Sequence, residues 1–316
     1  MTQSHRIERR TFLAAAAAAA ASGMTDARAQ HAVPNSSGTE APKFKAPPNA
    51  CDSHMHIYDP ARYAMPEIGR AAPTNATVAE YRLLQKRIGT TRVVIVQPRN
   101  YATSNDVTLD AIKQLAPARG VAVVHPTISD AELKTFHEGG IRGIRFSLAD
   151  PKTRAVTPDM IEPLAKRINE LGWHIQFNVD GAIIMEIEDI LRRLPTQLVF
   201  DHLGHPKQSA GVNDPSHKVV RELIDKGRAW VKLSGAYSNS KAGPPDYPEA
   251  TPIAQAFVKA APERLVWGSD WPHPGVPVDK PDDALLFDLL TAWAPEEKTR
   301  HRILVDNPAK LYGFAE

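Results

Sequence analysis

From Asn49 onward, short runs of apolar and β-branched residues alternate with longer segments in which apolar positions recur every three or four residues. Parallel strand–helix units produce this pattern, because strands covered on both faces read as continuous apolar stretches. It predicts strands near 50–56, 92–97, 121–125, 141–146, 174–179, 198–202, 230–233 and 264–268. Helices are predicted near 78–88, 107–118, 131–137, 158–171, 183–194, 216–227, 252–260 and 282–293. Several open on a capping residue or an N-terminal proline, as at Thr157-Pro158 and Asp214-Pro215. Strict alternation of this kind favours an α/β fold of the closed (β/α)8 TIM-barrel type over an open doubly wound sheet. An open sheet would carry a glycine-rich phosphate turn after its first strand. Here that strand runs into His54-Met55-His56-Ile57-Tyr58.

The pattern breaks down before residue 49. Residues 1–29 begin with Arg6, Arg9 and Arg10, continue through Thr11-Phe12-Leu13 into an alanine run from Ala14 to Ala21, and end in Ala27-Arg28-Ala29. A basic start, a short apolar stretch and a small-residue cleavage site predict a signal peptide. The paired arginines point to the twin-arginine export machinery and hence to a periplasmic protein. The apolar run is far short of the ~20 residues of a stable membrane span. Residues 30–48 read as a flexible polar arm, and 49–316 as one barrel domain, close to the ~250 residues typical of the fold. The one cysteine, Cys51, excludes an intrachain disulfide. A net charge of +2 without a basic block argues against a nucleic-acid partner.

Barrel active sites form at the C-terminal strand ends. With a strand period of two, His54 and His56 point to the same side of the first strand, where two imidazoles can share a metal ion or a substrate oxygen. His202 ends strand six, and His205 falls in the loop beyond it. Asp270 ends strand eight, between Trp267 and Trp271; a partly desolvated carboxylate there can serve as general base or metal ligand near neutral pH. Asp201 is expected to face away from His202, which leaves Asp270 as the available strand-end carboxylate. Arg142 and Arg145 lie on opposite sides of strand four. Arg145, nearer the mouth, offers a fork for a substrate carboxylate, and Arg142 reads as structural. Gln97, His125 and Asn178 are further strand-end polar residues, while His174 opens strand five at the far end of the barrel.

Asp-Ser-His-Met-His at strand one, Arg-Gly-Ile-Arg-Phe at strand four, Phe-Asp-His-Leu-Gly at strand six, Leu-Val-Trp-Gly-Ser-Asp-Trp-Pro-His at strand eight, and Asp306-Asn307-Pro308-Ala309-Lys310-Leu311-Tyr312 resemble the amidohydrolase superfamily. The resemblance spans about 49–316 and is nearest the branch of 2-pyrone-4,6-dicarboxylate lactonases, 4-sulfomuconolactone hydrolases and galactarolactone isomerases. It implies catalytic roles for His54, His56, His202 and Asp270, with Arg145 binding an acidic small-molecule substrate. Binuclear members add a lysine or glutamate on strand four and a histidine ending strand five. Arg145 and Asn178 stand there instead, so the resemblance implies no metal, or one zinc-like divalent ion on His54, His56 and Asp270. The expected activity is hydrolysis of a small carboxylate- or sulfonate-bearing lactone. Lactone isomerisation or decarboxylation on the same barrel is the alternative, and an organic-acid binding protein of the periplasm is the alternative of another class.

Overall fold

The computed structural model describes residues 32–66 and 72–315; the predicted signal peptide lies outside them. Eight parallel strands form one sheet in sequential order, β1 to β8. They are β1 (Cys51–Met55), β2 (Arg92–Val96), β3 (Ala118–Ala122), β4 (Ile141–Ser147), β5 (His174–Asn178), β6 (Leu198–Phe200), β7 (Ala229–Leu233) and β8 (Leu265–Trp267). The main helices follow as α1 (Val78–Ile88), α2 (Asp106–Gln114), α3 (Asp130–Glu138), α4 (Ile161–Asn169), α5 (Gly181–Glu186), α6 (Glu188–Arg193), α7 (Pro215–Asp225), α8 (Ala250–Ala260), α9 (Asp283–Trp293), α10 (Glu297–His301) and α11 (Asn307–Tyr312). Helix α1 shows why the pattern reads correctly. Thr77 and Glu80 form a reciprocal capping box, Gly89 ends the helix in the left-handed conformation, and Val78, Tyr81, Leu84 and Ile88 bury one stripe.

Three elements depart from expectation, the first being the 107–118 helix, which ends at Gln114. β3 starts three residues before its predicted position, because Arg119 sits in it as a strand residue whose guanidinium reaches past the sheet to the Tyr312 and Gly313 carbonyls. The predicted 183–194 helix is broken at Ile187 into α5 and α6. Residues 32–48, expected to be a flexible arm, are folded onto the barrel in the described structure. Val33 is buried, the Trp271 indole donates to the Pro34 carbonyl at 2.7 Å, and the Arg87 guanidinium donates to the Glu40 and Ser37 carbonyls. Phe44 stacks on Phe287 at 5.2 Å. No helix among the described residues is long and apolar enough to cross a membrane.

The interior is apolar at the N-terminal end, where Cys51, Val94, Val121, Val199, Trp230, Val266 and Tyr312 cluster. The seam between β8 and β1 is drawn together just beyond the strands. The amide of Asp270 donates to the His54 carbonyl and that of His56 to the Trp271 carbonyl, each at 2.8 Å. Buried Asp52 adds to it by accepting from the Ser269 amide at 2.9 Å and the Ser269 hydroxyl at 2.6 Å. Gly268 makes this approach feasible, since a Cβ there would lie 2.5 Å from the Cβ of His54.

Candidate active site

The seam sets the geometry of the mouth. β1 carries an irregularity between Asp52 and Met55, so although Cys51 belongs to the interior cluster, it is His54 and His56 that turn inward beyond it. Their Nε2 atoms lie 3.2 Å apart, and Asp270 Oδ1 stands 3.4 Å from the first and 3.3 Å from the second. His202 Nε2 approaches the same oxygen at 3.8 Å. The structure thus brings together His54, His56, His202 and Asp270, four residues singled out from the sequence.

Backbone conformation aims these groups. Asp270, His202, Leu203, His205 and His273 all have φ between 44° and 61°, the left-handed region that costs non-glycine residues on the order of 1–3 kcal/mol each. At His202 this turn ends the strand alternation, which corrects the expectation for Asp201. Asp201 follows Val199 inward by strand period, and His202, swung round by its positive φ, faces the same space instead of the opposite one. Asp201 Oδ1 lies 3.1 Å from His54 Nδ1. Its Oδ2 accepts from Arg145 Nε at 3.1 Å and from Gln176 Nε2 at 3.0 Å. Asp270 is therefore not the only strand-end carboxylate.

Arg145 meets the same carboxylate. Its Nε and Nη2 are engaged by Asp201, so the fork is already occupied and only Nη1 lies outside that pairing. The residue still lines the mouth cavity. Arg142 is structural as expected, donating to the His137 and Ile141 carbonyls. Asn178 and His205 line the cavity. Gln97 and His125 are spent on local bonds to Ser104 and Ala155, and His174 is sealed at the far end against Tyr312.

Sequence reasoning passed over Lys232 of β7, buried beneath the histidines. Its Nζ donates to Gln176 Oε1 at 2.7 Å and to the Ser53 carbonyl at 2.9 Å, and lies 3.2 Å from His54 Nδ1. A lysine in an otherwise apolar buried strand, two residues after interior Trp230, was a signal of this. Tyr237 was missed too; its hydroxyl donates to Asp270 Oδ2 in a short hydrogen bond. It lies outside any strand, where periodicity says nothing.

Burial and charge set the protonation states. Burial pushes Lys232 down to about 8, with Asp201 opposing the shift. Burial, then Lys232, hold His54 well below the usual imidazole range, burial lowers His202, and burial takes His205 down to about 3. For Asp201, burial is outweighed by His54, Arg145 and Lys232, which keep the carboxylate ionised. Burial likewise opposes ionisation of Asp270, but His202, His56 and His54 around it hold its carboxyl well below the ordinary range. The sequence-based expectation that desolvation makes Asp270 more basic is thus reversed by its neighbours.

The donor set suits a cation. His56 donates its Nδ1 proton to the Val96 carbonyl at 2.7 Å, so its Nε2 presents a bare lone pair. Asp201 Oδ1 and Lys232 Nζ meet Nδ1 of His54 at 3.1 and 3.2 Å, which turns its Nε2 toward the same point. Asp270 Oδ1 is buried without a hydrogen-bond partner. These three atoms stand 3.2–3.4 Å apart, the spacing of ligands about a tetrahedral zinc, which at ~2.0–2.1 Å from the ion lie about 3.3 Å from one another. His54, Asp201 and His202 form a second group of candidate ligands. Arg145 and Lys232 already neutralise Asp201 there, which disfavours a second cation.

Above these groups opens a cavity of about 420 Å³, lined by His56, Tyr58, Arg99, Arg145, Asn178, His202, His205 and Asp270 among others. Such a volume suits a small molecule. The family model for amidohydrolases matches residues 51–314. The chain belongs to the amidohydrolase family. This amidohydrolase is 34% identical over 281 residues to the 2-pyrone-4,6-dicarboxylate hydrolase of Comamonas testosteroni, with 86% of this chain and 92% of the relative covered. It is also 34% identical over 276 residues to a 4-sulfomuconolactone hydrolase of Rhizobium radiobacter, covering 85% and 92%. A crystal structure from Agrobacterium tumefaciens in its apo form superimposes with a TM-score of 0.78 at 30% identity, over 87% of this amidohydrolase and 99% of that chain.

Proposed function

We propose that this amidohydrolase opens a small acidic lactone by hydrolysis, with Asp270 taking the proton of the attacking water. The observation that carries the reading is the buried, unpartnered Oδ1 of Asp270, facing three histidines at the floor of a cavity that Arg99 and Arg145 line. Relatives named for hydrolysis of a pyrone dicarboxylate and of a sulfomuconolactone support the substrate class. The water oxygen adds to the lactone carbonyl while Asp270 Oδ1 accepts its proton. Though weakly basic, the carboxylate accepts readily once the new C–O bond makes that proton acidic. The ring C–O bond then breaks, and the proton passes to the departing ring oxygen. Arg145 Nη1 and Arg99 supply positive charge to orient an acid group of the substrate. Lys232 and Asp201 hold His54 in place from below.

One divalent ion, zinc by ligand type, would be held by His54, His56 and Asp270, and would supply Lewis-acid polarisation of the carbonyl and a lowered water pKa. Assays of 2-pyrone-4,6-dicarboxylate, 4-sulfomuconolactone and galactarolactone, on chelated and zinc-replenished protein, test both parts. Uptake of one water into a ring-opened acid is expected, with at most one ion per chain by elemental analysis. Isomeric products without water uptake, or no turnover of any acidic lactone, would overturn the hydrolytic reading.

Export through the twin-arginine pathway to the periplasm belongs to the same proposal, supported by Arg9-Arg10-Thr11-Phe12-Leu13 and Ala27-Arg28-Ala29. Changing Arg9 and Arg10 together to lysine should leave the precursor in the cytoplasm. Undiminished periplasmic recovery would sink the assignment.

A further inference from the structure

A buried chain of polar groups runs from Asp270 away from the cavity. Tyr237 donates to Asp270 Oδ2; the Tyr237 oxygen lies 3.3 Å from His273 Nδ1; His273 Nε2 lies 3.1 Å from Asp283 Oδ2. His273 and Asp283 are both wholly buried. The segment between them is tied down as well, with the Lys280 ammonium donating to the Pro272 and His273 carbonyls at 2.8 and 2.9 Å.

We propose that Tyr237, His273 and Asp283 form a positioning relay that fixes which oxygen of Asp270 is presented to the reaction. The direction of the hydrogen bonds follows from counting protons. An ionised carboxylate only accepts, so the one hydroxyl proton of Tyr237 goes to Asp270 Oδ2. The Tyr237 oxygen can then only accept from His273, which must donate from Nδ1, and the contact between its Nε2 and Asp283 Oδ2 holds one further proton, on the ring or on the carboxyl. The relay occupies Oδ2, and Oδ1 is left without a partner among His54, His56 and His202. Without Tyr237 the two oxygens become equivalent, and the carboxylate can turn its reactive lone pairs out of line. None of the three relay residues is among those lining the cavity, so the relay acts on turnover and leaves substrate binding alone.

The inference rests on Asp270 as proton acceptor. Both can be tested together with the panel lactone that the unaltered protein opens fastest. Asp270→Asn alone tests the base. Tyr237→Phe and His273→Leu should each lower kcat by roughly tenfold or more with KM within about twofold, the signature of a group that acts in the transition state only. His273→Asn, which keeps a donor near the Nδ1 position, should recover much of the loss. In the Asp270→Asn background Tyr237→Phe should cost little further, because groups acting as a unit are non-additive. The relay is overturned if Tyr237→Phe leaves kcat unchanged while Asp270→Asn abolishes it, if KM moves in place of kcat, or if the effects multiply. A measurement independent of activity and of variant folding is ¹⁵N NMR of histidine-labelled unaltered protein. His273 Nδ1 should carry a proton at neutral pH, and a bare Nδ1 would refute the relay outright.

Discussion

Asp270 carries the sharpest expectation at the scale of single residues. Asp270→Asn keeps the size and the hydrogen bond to Tyr237 but removes the proton acceptor, so the fold should hold while the hydrolysis rate falls at least ~100-fold. Because its neighbours depress the Asp270 carboxyl, the acidic limb of the wild-type rate profile should lie below the ordinary carboxylate range, and a limb above it would contradict the assigned environment. Arg145 has two duties, since its Nε and Nη2 neutralise buried Asp201 while the residue lines the cavity. Arg145→Lys keeps the charge and loses the planar fork, so both stability and turnover should drop, the latter by ~1–3 kcal/mol of transition-state binding. A loss in denaturant midpoint with unchanged kinetics would confine Arg145 to its structural duty.

At the scale of elements, the seam joining β8 to β1 matters most. The predicted strands ended at His56 and Gly268, and the residues there were legible because apolar runs stop abruptly at polar ones. What pairing the sequence does not show is the bulge in β1 and the left-handed turns at His202 and Asp270, which override strand alternation and bring Asp201 beside His202. Gly268 is the pivot of the seam, with a would-be Cβ 2.5 Å from the His54 Cβ. Gly268→Ala should therefore push His54 away from Asp270, cost roughly 1–3 kcal/mol in urea unfolding, and depress activity more than stability alone explains. Wild-type rates in the alanine variant would show that the mouth tolerates a wider seam.

At the scale of the whole molecule, histidines held uncharged inside the barrel make the fold acid-sensitive, wholly buried His174 among them. Burial lowers His174 from 6.5 to about 3, and His205 likewise. A depressed histidine binds its proton more readily in the unfolded chain, so the stability it contributes is complete above about 6.5 and is lost as pH falls toward about 3. At pH 5 the loss is about 2 kcal/mol for one such residue. His174→Leu, far from the mouth, should make the drop in urea midpoint between pH 7 and pH 5 visibly shallower, and an identical drop would show that other groups govern acid unfolding. The order of eight strands and helices, and the histidines and aspartate at strand ends, could be read from the chain, because burial periodicity and abrupt polarity are local properties. The roles of Lys232, Asp201, Tyr237 and His273 could not. Each depends on groups brought together from β1, β5, β6, β7 and the loop before α9, and whether a buried charge is paired, or which carboxylate oxygen is left free, is decided only where those distant segments meet in a medium of low dielectric.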